Sequence, residues 1–216
     1  MRFLSFSVVV FLIVALSPLA SAYVPVIDPG HGGVDGGAVG AGKIIESTLN
    51  LEISLRLKYL FLFTGVEPVI LRETDISLHS ENAATIRQKK NSDLANRIAM
   101  VNAVEDGLLI SVHQNSFSDS RYGGAQIFFG SEKTKPLADT LQQYINERID
   151  PENSRAAKLV RGDVYLFKKI TRPAILVECG FLTNAQDLQK LQQPSHQKKL
   201  TTAVVSAFLA FNAAEE

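Results

Sequence analysis

Val24-Pro25-Val26-Ile27-Asp28-Pro29-Gly30-His31-Gly32-Gly33 decides the fold of this chain, because a short apolar run breaks at once into a loop rich in glycine. Such a run reads as a buried strand, and the glycines after it read as backbone that other residues do not easily adopt. Downstream, Leu49, Ile53, Leu57 and Leu60 fall at helical spacing, with Ser47 as the expected N-cap and Gly65 closing the segment. The unit then recurs. Pro68-Val69-Ile70-Leu71 reads as a strand, Leu94, Ile98 and Val101 mark a helix that ends before Gly107, and Leu108-Leu109-Ile110-Ser111-Val112 is a third apolar strand running into His113.

Further on, residues 125–129 read as a strand, and Leu137, Leu141, Tyr144 and Ile145 stripe a helix. Residues 150–161 are polar and read as loop. Ala174-Ile175-Leu176-Val177 is the last strong strand, ending at Glu178, and Leu200, Val204, Ala207 and Phe211 share one face of a closing helix. Alternating strands and helices predict an α/β single domain: a twisted, mostly parallel sheet with helices on both faces.

The 216 residues suit one well-packed core. The 22 basic side chains balance the 22 acidic ones with no long run of either sign, which argues against a nucleic-acid partner. A single cysteine, Cys179, excludes an internal disulfide framework and any multi-cysteine metal cluster. At the N-terminus, Met1-Arg2 precedes an apolar run over residues 3–16 and then Ser17-Pro18-Leu19-Ala20-Ser21-Ala22, the order of a secretory signal peptide. We therefore expect residues 1–22 to be a leader, cleaved or kept as an anchor, and residues 23–216 to be the catalytic domain.

In open α/β sheets ligands bind beyond the carboxyl ends of the strands, where His31, His113 and Glu178 fall. A catalytic zinc site takes three protein ligands and keeps a fourth position for water, so two histidines want one carboxylate. Asp28, Asp35 and Glu46 are the candidates. Glu46 stands where the glycine-rich loop hands over to the first helix, whereas Asp28 abuts a proline turn and suits orienting the loop. The glycine spacing does not fit a dinucleotide fingerprint, and no Walker lysine is present.

These motifs, taken with Ile110-Ser111-Val112-His113-Gln114-Asn115 and Pro173-Ala174-Ile175-Leu176-Val177-Glu178-Cys179-Gly180-Phe181-Leu182-Thr183-Asn184, resemble the zinc-dependent N-acetylmuramoyl-L-alanine amidases of the type 3 family. The resemblance implies one zinc ion per chain, held by His31, Glu46 and His113, with Glu178 as the catalytic carboxylate. It also implies peptidoglycan as substrate and action after export, at the cell wall or the outer membrane face. The stretches Leu71-Arg72-Glu73-Thr74-Asp75 and residues 85–97 look most like the spore-cortex branch associated with muramic δ-lactam formation and with the forespore envelope. Departures are Gln114, Ser116 and Cys179, none of them a ligand. Asn115, Arg72 and Arg97 are the candidates for touching substrate, the alternative for both arginines being a structural ion pair.

His79 and His196 are expected to be solvated and outside the site. Competing functions are another zinc hydrolase of carboxypeptidase type and an inactive wall-binding protein. The familiar carboxypeptidase pairing places its Glu three residues after the first His, whereas Glu46 is 15 residues after His31. Some relatives by this resemblance carry a helix between the His113 and Glu178 strands that covers the zinc until an activating protein displaces it. Here that interval is filled by other elements, which predicts an open site and an accessory protein, if there is one, that acts otherwise.

Overall fold

The computed structural model describes residues 22–215. Most of the expected leader lies outside the described residues, among which no helix is long and apolar enough to cross a membrane. Six strands form one sheet: β1 (Val24–Pro29), β2 (Val69–Ile70), β3 (Gly107–Asn115), β4 (Gln126–Phe129), β5 (Lys158–Leu159) and β6 (Ala174–Phe181). Their order is β2-β1-β3-β6-β4-β5. Every neighbouring pair is parallel except β4 with β6, so the expected mostly parallel α/β sheet is present, with β4 and β5 running opposite to the other four strands.

The helices are α1 (Glu46–Phe63), α2 (Ile86–Ala103), α3 (Lys135–Tyr144), α4 (Tyr165–Lys169), α5 (Ala185–Leu191) and α6 (Pro194–Glu215). Alternation along each strand sends side chains to opposite faces. Ile27, Ile110 and Ile175 join the large core beneath α1, α3 and α6, where Phe61 and Phe208 meet edge to face with centroids 5.1 Å apart. Val26, Leu109 and Ala174 point the other way and join Val101 of α2 and Leu166 of α4 in a second, smaller core. Helices on both faces bury both sides of the sheet, as near-continuous apolar strands require.

Helix α1 begins one residue before the expected N-cap. Ser47 is inside the helix and buried, Ile45 occupies the cap position without a side-chain bond, and Glu46 opens the helix. Helix α2 starts earlier than its apolar stripe suggests, because Thr85 and Gln88 form a reciprocal capping box that satisfies the first free N–H groups. The polar stretch after Asp150 is mostly loop but contains the two-residue β5 and leads into α4.

Candidate metal centre and catalytic cleft

Strand register brings the chemistry together. His113 of β3 is the cross-strand partner of Glu178 of β6, and Asp28 of β1 pairs with Ser111 two residues before His113. All four side chains leave the α2 and α4 face of the sheet at its carboxyl end. His31 lies two residues past the end of β1, in left-handed backbone at φ 59°. Its carbonyl accepts from Arg97 Nη2 at 2.6 Å, and its Nδ1 meets Asp35 Oδ2 at 3.0 Å, while Lys90 pairs with the other Asp35 oxygen at 3.0 Å. A carboxylate at Nδ1 leaves Nε2 to face the site and fixes the ring.

Glu46, the first residue of α1, is buried and reaches both histidines through one oxygen: Oε1 lies 3.3 Å from His31 Nε2 and 3.0 Å from His113 Nδ1. The other oxygen accepts the Ala38 N–H at 2.8 Å, and Oε1 also accepts the Gln114 N–H at 3.2 Å. The three ligand atoms lie within 4.8 Å of one another and could hold a metal ion. Ligands at about 2.0–2.1 Å in a tetrahedral shell stand roughly 3.3 Å apart, close to the spacings of both Glu46 contacts, so the donor set fits a zinc-sized cation. Of the three carboxylates the sequence leaves open as ligand, the fold thus brings Glu46 to the histidines and gives Asp35 and Asp28 to orienting roles.

Two glycines make room for this cluster. A Cβ on Gly30 would lie 2.2 Å from His113 Nε2, and one on Gly37 would lie 2.5 Å from Glu46 Oε2 and 2.7 Å from His31 Cδ2. Glycine is required at both by close approach, and at Gly37 also by its φ of +71°.

The electrostatics separate two glutamates. Burial opposes charge on His31, but hydrogen bonds and charge from Glu46, then from Asp35, hold it up to about 9. Burial likewise opposes the Glu46 carboxylate, and the two imidazoles outweigh it and hold Glu46 well below the usual carboxylate range. Glu178 is different: burial dominates and pushes it up to about 7, and its Oε2 is shut off from solvent with no hydrogen-bond partner. One carboxyl is thus anionic between the histidines, while its neighbour is poised near neutrality.

The cleft over these residues encloses about 320 Å³. His31, His113 and Glu178 line it, Lys90 and Leu94 come from α2, and residues 164–167 form an apolar wall. That wall is the start of α4, and between β3 and β6 no carboxylate lines the cleft: those that do are Asp28, Asp35, Asp93 and Glu178.

The arginines hold the loop. Arg97 is 2 % exposed and ion-pairs with Asp28, bonds Asp93 at 2.6 Å through Nε, and donates to the carbonyls of Pro29 and His31. Arg72, 3 % exposed, donates to the carbonyls of Pro29, Gly30, Ser47 and Thr74. Asn115 sits past a register shift, with its side-chain oxygen taken by the Ser116 N–H, and lies outside the cleft lining. His79 and His196 are outside the site as expected, but both are half-buried rather than solvated: His79 bonds Ser77 Oγ, and burial, then Lys190, lowers the pKa of His196.

The profile of N-acetylmuramoyl-L-alanine amidases matches residues 26–210. The chain belongs to this family. The amidase is 32% identical over 187 residues to the germination-specific N-acetylmuramoyl-L-alanine amidase of Bacillus subtilis, covering 86% of this chain and 78% of that protein. Its fold superposes on the CwlD amidase from Clostridioides difficile, solved in complex with the GerS lipoprotein, with a TM-score of 0.84 and 34% identity over 89% of this chain and 99% of that one. AmiC2 of Nostoc punctiforme matches with a TM-score of 0.74 and 26% identity over 88% and 97%. The reaction is hydrolysis of the amide joining N-acetylmuramic acid to L-alanine in peptidoglycan, and the amidase therefore acts outside the cytoplasm.

Two expected results arise here. Replacing Arg97 with Met leaves Asp28 buried without its counter-ion, and breaking such a pair costs about 3–5 kcal/mol. Urea unfolding should register that loss, and a cost below about 1 kcal/mol would show the pair to be dispensable. The second concerns Glu178, whose folded value of about 7 exceeds its ordinary 4.5. The fold favours the neutral acid, so this stabilisation is complete below the ordinary value and is lost as pH rises through about 7. In protein stripped of metal by chelation, the loss amounts to at most about 3 kcal/mol. Thermal unfolding of stripped wild type should fall relative to Glu178→Gln between pH 5 and 8. Parallel profiles would contradict it.

Proposed function

We propose that the amidase is a zinc enzyme in which His31, Glu46 and His113 hold one ion and Glu178 moves the proton, and that its substrate is spore-cortex peptidoglycan on the way to muramic δ-lactam. The observation that carries the reading is the half-buried Glu178 carboxyl standing cross-strand from His113, with Oε2 shut off from solvent and unpartnered and its pKa near neutrality. Zinc bound there supplies a Lewis acid that polarises the lactyl amide carbonyl and makes water acidic enough to react at neutral pH. Glu178 takes the proton of the attacking water and returns it to the departing L-alanine nitrogen, which leaves poorly unless protonated. A carboxyl poised near 7 can do both. His31 is held to its task by Asp35, and Arg97 fixes the loop that carries it.

The cortex assignment is supported by similarity to the germination-specific relative, and the export assignment by the residue 1–22 leader pattern together with a wall substrate at the cell surface or in the forespore envelope. The Clostridioides difficile relative was solved with a lipoprotein, which supports an accessory protein for this chain too. With no carboxylate from the residues between β3 and β6 over the centre, such a partner would act on metal loading, substrate presentation or localisation. Digestion of purified cortex and vegetative peptidoglycan, followed by mass analysis, tests the reading. Expected products are free L-alanine amino termini and peptide-free glycans, formed faster from cortex. New reducing sugar ends, or release of single carboxyl-terminal amino acids, would refute it.

A further inference from the structure

A second cavity, of about 630 Å³, lies at the β4–β5 end of the sheet and is lined by Arg155, Lys158, Glu152 and residues 121–124 among others. The register ties it to the catalytic row. Gln126 of β4 is the cross-strand partner of Glu178, as His113 is on the other side, so His113, Glu178 and Gln126 project in one line from one face. Arg155 continues that line, donating Nη1 to Gln126 Oε1 at 2.8 Å.

The Arg155 guanidinium is fixed on three sides. Nε donates to the Gly123 carbonyl at 2.8 Å, Nη1 is taken by Gln126, and the plane lies over the Phe181 ring at 4.6 Å from its centroid. Among the described residues Nη2 has no hydrogen-bond partner, and the groups that touch the guanidinium are neutral, the Asp187 carboxylate acting on it only through space. Other charges of the cavity are spent elsewhere: Lys190 on Asp150 at 3.1 Å, Arg121 on Asp119 at 2.7 Å, and Asp187 Oδ2 on the N–H groups of Gly124 and Phe181. Arg155 feels the buried Asp187 carboxylate through space but, among the described residues, neither it nor the exposed Lys158 bonds a carboxylate, and the exposed Glu152 is the remaining acid of the rim. A planar fork held by neutral partners with one edge open is the arrangement that recognises a carboxylate.

We propose that this cavity binds a free carboxylate of the stem peptide, gripped by Arg155 and, at the rim, by Lys158. The proposal rests on the amidase reading. With strands about 4.8 Å apart, the guanidinium lies roughly 10 Å from Glu178. A peptide extends about 3.3–3.6 Å per residue, so a carboxylate some three residues into the leaving peptide reaches it. The peptide half of the substrate would then lie across β6 and β4, with the glycan half on the side of residues 164–167.

The test uses N-acetylmuramoyl-L-alanyl-D-isoglutaminyl-L-lysine, whose sole carboxylate is terminal, and its carboxyl-terminal amide. Zinc-loaded wild type should cut the acid about 10-fold more efficiently than the amide, the difference lying in KM. Arg155→Gln should lose that preference while cutting the amide as wild type does. Lys158→Gln, an exposed change that leaves the fold intact, should lose several-fold on the acid alone, so the question is decided even if Arg155→Gln does not fold. Equal cleavage of acid and amide by wild type, or equal losses on both substrates in the variants, would overturn the proposal. Calorimetric titration of L-alanyl-D-isoglutaminyl-L-lysine and its amide reads the same preference without turnover. An enzyme that bound the acid selectively yet cut neither substrate would sink the amidase reading and leave the carboxylate site standing.

Discussion

Glu178→Gln is expected to keep its metal and lose turnover by about 100- to 10,000-fold, the range spanned by removal of a general acid–base group. The substitution is nearly isosteric, and Glu178 lies outside the cluster of ligand atoms made by His31, Glu46 and His113, so metal content should stay at that of wild type. The carboxamide cannot carry a proton from water to the departing nitrogen. Because Oε2 has no hydrogen-bond partner in the fold, the exchange breaks no contact at that atom and the loss reports on chemistry. Turnover of peptidoglycan at the wild-type rate by this variant would make Glu178 a structural residue.

His113→Ala should abolish metal binding. The change removes one of three ligand atoms and also takes away the ring that, with His31, holds Glu46 anionic. Metal analysis after dialysis should fall from one ion per chain to near none, and activity with it. Asp35→Ala makes the useful contrast, because Asp35 touches His31 Nδ1 and no metal position, so affinity should fall by about 10- to 100-fold without being lost. Full metal retention in both His31→Ala and His113→Ala would remove the basis of the assignment.

The parts of the site that could be read in the sequence are those written as interruptions of a pattern. β1, β3 and β6 are apolar on both faces, so the point where each run meets His31, His113 or Glu178 is visible without knowing how the strands are ordered. What decides the direction of β4 is its partner, and four residues carry no mark of it. Helix α5 is not legible in the apolar pattern because seven residues give under two turns of periodicity, although Asn184, which caps the Gln186 and Asp187 N–H groups, is a start signal in plain view. The roles of the two arginines are hidden for a different reason. An irregular loop buried beside a site leaves carbonyls without partners, and something must donate to them. Nothing local in the sequence says that Arg72 and Arg97, 41 and 66 residues away from His31, are those donors. The Asp35–Lys90 pair and the apolar wall at residues 164–167 are illegible on the same ground, being contacts between segments with no shared motif.

The clearances at Gly30 and Gly37 reach beyond geometry to how this protein can vary. In a library saturated at every codon and selected for activity, both positions should be as intolerant as the histidines, though neither donates, accepts or binds anything in the reaction. Gly42 and Gly65 adopt the left-handed backbone of Gly37, at φ +69° and +82°, with nothing near the position of a Cβ. Asparagine, which tolerates that conformation, should pass the selection at these two sites and fail at the other two. Lineages of such a protein would drift freely at its turns while two methyl-sized spaces beside the ligands stayed closed to every residue but one.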